Sequence, residues 1–145
     1  MLRFSLLAAL LFFAACDAVA PAPDSASPDM PLTDGRFDGT MASPTEAYTL
    51  KLYLEEGRSP GQIGGAGGAL FLGTSSVPAA STLGERDGER IRFTTTLRTD
   101  GYISFSGRVM EDGQTLVGTV GGEAGGAAFG PAGVVLRWQD LNYGD

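Results

Sequence analysis

Histidine is missing from the 145 residues, and cysteine and lysine occur once each, as Cys16 and Lys51. Without histidine the chain has neither the commonest general base nor a leading metal ligand, and no Ser-His pair can form. The nucleophile motif G-x-S-x-G is absent as well. A lone cysteine has no internal disulfide partner, so its thiol needs another role. Basic residues are scarce: 10 Lys and Arg against 17 Asp and Glu give a net charge of −7, the wrong sign for a nucleic-acid surface. The longest apolar run, residues 4–15, is broken only by Ser5. As a helix it rises about 18 Å, short of the ~30 Å hydrocarbon core of a bilayer.

Several motifs fail on inspection. The glycine runs at 64–68 and 121–126 lack the GK[ST] ending and the dinucleotide spacing, and read as flexible loops. Asp34-Gly35 and Asp38-Gly39 lack the ligand spacing of a calcium loop and read as turn residues. Glu55 and Glu56 are adjacent on an expected strand, so they point to opposite faces and cannot flank one glycosidic bond. A noncatalytic protein without a cofactor is the expectation.

What is present begins at the N-terminus. Arg3, the apolar run and the small residues that end it have the layout of a signal peptide. The run closes in Phe13-Ala14-Ala15-Cys16, which resembles the lipobox of bacterial lipoproteins, with Phe13 where that family has Leu or another aliphatic residue. The resemblance covers the first sixteen residues. It implies that residues 1–15 are removed and that Cys16 is acylated, palmitate included, tying the protein to the inner or outer membrane with its domain in the periplasm or at the cell surface. Asp17 resembles the inner-membrane retention signal of enterobacterial lipoproteins. Ordinary secretory cleavage after Ala20 is the alternative, since Ala18-Val19-Ala20 is an A-x-A site followed by Pro21. Residues 16–34 follow as the acylated cysteine and a flexible linker rich in Pro, Ala, Ser and Asp.

From residue 35 to 145 the apolar pattern has period two, with no 3.6-residue pattern, and Asp-Gly pairs punctuate it. This predicts an all-β domain. The clearest strand spans 89–98, with Ile91, Phe93, Thr95 and Leu97 facing the core. Strands at 102–110 and 114–122 follow, and others are expected at 35–42, 46–55, 62–73, 77–85 and 133–140. Residues paired across a hairpin must share a face. A three-residue loop 99–101 with Gly101 left-handed pairs Leu97 with Ile103, Thr95 with Phe105 and Phe93 with Gly107, and sets Arg92 opposite Arg108. A two-residue Asp112-Gly113 turn pairs Val109 with Leu116, Gly107 with Gly118 and Phe105 with Val120. The facing glycines leave a gap that Phe93 is expected to cover.

Eight short strands in sequence are expected to form a small antiparallel up-and-down meander barrel. Phe105-Ser106-Gly107-Arg108-Val109 followed by Leu116-Val117-Gly118-Thr119-Val120 repeats an "apolar, x, Gly, x, apolar" pattern, in which the chain resembles small barrels of the lipocalin and avidin (calycin) kind. A two-sheet sandwich is the alternative. A transmembrane barrel would carry Lys51, Arg90, Arg92, Arg98 and Arg108 into lipid and is set aside.

Two candidate sites emerge. Inward Tyr48, Phe93 and Phe105 with Trp138 are positioned to line a pocket for a small apolar ligand, since an eight-stranded barrel either fills with side chains or holds one small ligand. Outward Arg90, Arg92, Arg98 and Arg108 are candidates for an anion or acidic-partner site, such as contact with an envelope protein, or form a solvated face neutralised by Glu85, Asp87, Glu89 and Glu111. The functional expectation is a membrane-tethered envelope lipoprotein that binds a small apolar ligand, or alternatively an interaction or inhibitor module with a filled barrel.

Overall fold

The computed structural model describes residues 31–42 and 47–140. Among these the chain is all β, in strands β1 (Gly35–Ala42), β2 (Ala47–Glu56), β3 (Gln62–Ala66), β4 (Gly68–Leu72), β5 (Ser75–Asp87), β6 (Arg90–Leu97), β7 (Gly101–Val109), β8 (Thr115–Ala124) and β9 (Ala127–Gln139). Every pairing is antiparallel, and β1 bonds to both β2 and β9, which closes the sheet. β3 and β4 together occupy one place between β2 and β5, so the nine strands make an eight-stranded up-and-down barrel. Closure leaves no open edge.

β6 shows why the sequence reads so clearly: exposed and buried residues alternate without a break from Arg90 to Leu97. Ile91, Phe93, Thr95 and Leu97 face a core shared with Phe37, Leu50, Leu52, Leu54, Ile103 and Leu136. Fully burying each large apolar side chain contributes about 1.5–3 kcal/mol. The polar member of the face is matched rather than tolerated. Thr95 and Thr82, both 1% exposed or less, share a hydroxyl hydrogen bond of 2.7 Å across β5 and β6. Thr82→Val or Thr95→Val alone strands one buried hydroxyl and should cost about 1–3 kcal/mol, whereas the double change should recover most of that loss. Urea titration of the two single variants and the double checks it, and additive losses would refute the pairing.

The β7–β8 register is as expected, with Val109 opposite Leu116, Gly107 opposite Gly118 and Phe105 opposite Val120. Its turn is longer than a two-residue loop. Met110 N donates to Thr115 O at 2.8 Å, and Gly113 N donates to Met110 O at 3.0 Å. Asp112 does the closing: its carboxylate accepts from Gln114 N, Thr115 N and Thr115 Oγ1 at 2.9, 2.9 and 2.7 Å. The Thr115 hydroxyl first, and then the Gln114 amide, hold this carboxyl below its ordinary range. A depressed folded-state value means that the carboxylate's contribution is complete at neutral pH and is lost as pH falls below about 4 toward that value. Asp112→Asn should therefore flatten the acid limb of a stability-versus-pH curve. An unchanged acid slope would exclude the effect.

The β6–β7 register differs from the expectation by two residues. Phe93 lies opposite Phe105, Thr95 opposite Ile103, and Arg90, not Arg92, opposite Arg108. Gly101 is not the tip of the turn but the first residue of β7, paired with Ala124 of β8. A Cβ there would collide with Glu123 O, so its glycine serves the approach of β8. The shifted register also sets two aromatic rings directly across from each other, a favoured cross-strand pair.

The glycine runs, read both as loop and as parts of the strands expected at 62–73 and 114–122, are mostly strand. Residues 64–66 and 68 are strand, and 121–124 belong to β8, leaving Gly125 and Gly126 as a turn. β2 comes so close that a Cβ at Gly65 would overlap Tyr53 O, and one at Gly68 would overlap Lys51 O. Glu55 pairs with Gly64 but Leu52 with Gly68, one extra residue on the β3–β4 side, while the pairing of β3 and β4 with β5 runs on unbroken. This is a bulge, and bulges add the local bend that a small barrel needs.

Candidate functional surfaces

The interior is built around two rings. Phe93 and Phe105 stack with centroids 4.9 Å apart and planes 12° from parallel. The tip of Phe105, Cζ, lies 2.7 and 2.9 Å from where Cβ atoms of Gly107 and Gly118 would be. Phe105 thus covers the gap assigned to Phe93 by the expected register, and Phe93 packs on top of it. Tyr48 lies at the end where β2 begins, packed on Phe129 at 5.5 Å. Trp138 lies at the opposite end, beside Phe37, with its indole N–H donating to Asp34 O at 3.1 Å. The four residues expected around a ligand are therefore not brought to one cavity.

Trp138 marks the end that is closed by the chain's own approach. Residues 31–34 cross it as a strap, with Leu32 3% exposed and part of the core. Leu32 N donates to Glu56 Oε1 at 3.1 Å, Thr33 N to Gly113 O at 2.9 Å, and Glu56 N to Asp34 Oδ1 at 2.9 Å. Arg86 completes the plug. Its Nη1 bonds Glu56 Oε1 and its Nε donates to Gly88 O at 2.7 Å, leaving the side chain 9% exposed. The sequence reading put Leu32 in the linker, weighed Glu56 only as a partner of Glu55, and passed over Arg86. Arg86 was detectable, because period two from Thr82 through Gly84 places it on the inward face.

Outside, Arg90 and Arg108 face each other across β6 and β7, and Arg92 lies opposite Ser106. Arg98 is at the other end, in the turn after β6, its backbone N–H donating to Pro78 O at 2.8 Å. The arrangement brings Arg90, Arg92 and Arg108 together and leaves Arg98 apart. On β5, Asp87 is opposite Arg90 and Glu85 opposite Arg92. None of the four guanidinium groups forms an ion pair among the described residues. Beyond Arg108 the same row continues into Val117 and Val135, exposed at 40% and 41% and paired with each other. Open clefts of about 220 and 390 Å³ flank the arginines, lined by Glu85, Asp87 and Arg92 on one side and by Glu89, Arg108 and Met110 on the other.

Among the described residues no three Asp, Glu, His or Cys side chains gather to hold a metal. Cys16 and residues 17–30 of the linker lie outside the described residues. Comparison with known proteins finds no matching family model, no matching curated protein and no matching solved structure.

Proposed function

We propose that this protein is a noncatalytic bacterial envelope lipoprotein, held on a membrane through acylated Cys16, whose barrel is a solid scaffold that binds a partner protein on its outer face. The observation that carries the reading is the Phe93–Phe105 stack, which occupies the space left by Gly107 and Gly118. An interior used in this way favours a contact made outside over an apolar ligand held within. Arg90, Arg92 and Arg108, which form no ion pair among the described residues, give that contact a charged centre alternating with Asp87 and Glu85, and the neighbouring valines give it an apolar margin.

Native mass spectrometry of protein taken from its own envelope should give the mass of the acylated chain alone. Crosslinking in intact cells should yield an adduct that weakens when Arg90, Arg92 and Arg108 are changed to Ser. A retained small molecule, lost on Phe93→Ala or Trp138→Ala, would overturn the solid-barrel reading in favour of ligand carriage. Turnover of a substrate, lost on changing one Asp or Glu, would overturn the noncatalytic one.

A further inference from the structure

Across β5 and β6 an acidic row and a basic row run side by side in register. Asp87 lies directly opposite Arg90 and Glu85 opposite Arg92, while Leu83, two residues further along β5, lies opposite Thr94. All six are exposed, and Leu83, at 68%, is the most exposed large apolar side chain among the described residues. None of the four charged groups forms an ion pair among the described residues, although each has its opposite beside it. Exposed pairs within one sheet are weak, so each group can turn to a second counter-charge above the face.

We propose that the partner of this face is a second copy of the same chain. The inference rests on reading the face as the binding surface and names its occupant. A two-fold contact requires that a residue meeting another be met by it in turn. A two-fold axis along the strands, midway between β5 and β6, sets β5 of each copy over β6 of the other. Because the rows are in register, this rotation places Asp87 over Arg90 and Glu85 over Arg92, twice each, and every charge gains a second counter-charge. An axis across the strands would lay acidic row on acidic row and basic row on basic row. Leu83 then lies half a strand spacing, about 2.4 Å, to the side of the axis, so its two copies meet as an apolar centre. The rotation also keeps both β5–β6 turns at one end of the pair, together with Pro31, which shares a cleft with Asp87 and Gly88. Two copies anchored through Cys16 on one membrane need that common direction. A few strands of a convex wall form a small contact beside the about 800 Å² per partner of a standard interface. The pair is therefore weak between free chains and strengthened where anchoring holds both copies together.

The full mature chain carrying Cys16→Ser and Leu83→Cys has one thiol, and a short bismaleimide should join two such chains. Thr119→Cys in the same background is exposed on β8, about 12 Å from the axis, and should give roughly tenfold less dimer. Arg90→Glu/Arg92→Glu and Glu85→Arg/Asp87→Arg each leave one sign on the face and should abolish the Leu83→Cys product. An equal mixture of the two should restore it as the mixed dimer, which misfolded chains could not do. Equal crosslinking at positions 83 and 119 overturns the proposal, as does product that survives either reversal or a folded mixture that yields none. In cells the adduct should have twice the mass of one chain. An adduct with a different protein overturns this inference and keeps the binding-surface reading, whereas no adduct at all removes both.

Discussion

Gly118→Val should remove the folded barrel from solution at room temperature, while Gly133→Ala on the neighbouring strand should leave stability unchanged. Both positions are glycines on the β8–β9 hairpin, and their surroundings differ completely. A Cβ at Gly118 would collide with Ser106 O, approach Gly107 Cα to 2.7 Å and meet the Phe105 ring at 2.9 Å. At Gly133 it would meet nothing within 4 Å. Two of the three obstacles at Gly118 are backbone atoms of β7, which cannot rotate aside, and the third is a ring held in place by Phe93. Overpacking a core costs about 1–3 kcal/mol when side chains alone must yield, and more when backbone must move. Valine adds two further methyl groups, and a domain of this size has only about 5–15 kcal/mol to lose. Thermal unfolding followed by circular dichroism decides the matter. A Gly118→Val protein melting at the wild-type temperature would show that Phe105 does not fill the space between the two glycines.

That pair of glycines also shows which parts of the fold were legible in the sequence. Strands with one wet and one dry face, such as β6, declare themselves because the alternation is a direct image of burial. The β7–β8 register was readable because Asp112-Gly113 marks the centre of the turn, about which Val109 meets Leu116, Gly107 meets Gly118 and Phe105 meets Val120. The β6–β7 register was not. A shift of two residues keeps every apolar residue inward, so the pattern cannot choose between them, and the choice lies in the ring stack and in Gly101 serving β8. Glycine-rich strands were unreadable because the backbone of a neighbouring strand, and not a side-chain pattern, dictates Gly65 and Gly68. The first half of β9, Ala127 to Ala132, carries a bulge opposite Gly121 that breaks the alternation. Of the outer candidates, Arg90 and Arg108 came together through the same shift that separated Arg92 from Arg108.

Cys16→Ser should move the protein from the membrane fraction to the soluble fraction almost completely and abolish palmitate labelling. Each buried methylene contributes about 0.8 kcal/mol, so one acyl chain binds marginally and several bind in effect permanently. The outer face of the barrel carries Arg90, Arg92 and Arg108 among exposed hydroxyl residues such as Thr94, Ser104 and Thr119, and burying such a face in hydrocarbon is costly. No helix among the described residues is long and apolar enough to cross a membrane. The competing route, cleavage after Ala20, makes an opposite set of observations. It removes Cys16 with the signal, leaves Pro21 as the mature N-terminus, and makes the substitution silent. Intact mass of the mature protein therefore separates the routes before any variant is made: a chain beginning at Cys16 carries the added mass of its acyl groups, and one beginning at Pro21 carries none. Membrane association and labelling that survive Cys16→Ser would refute the anchor itself.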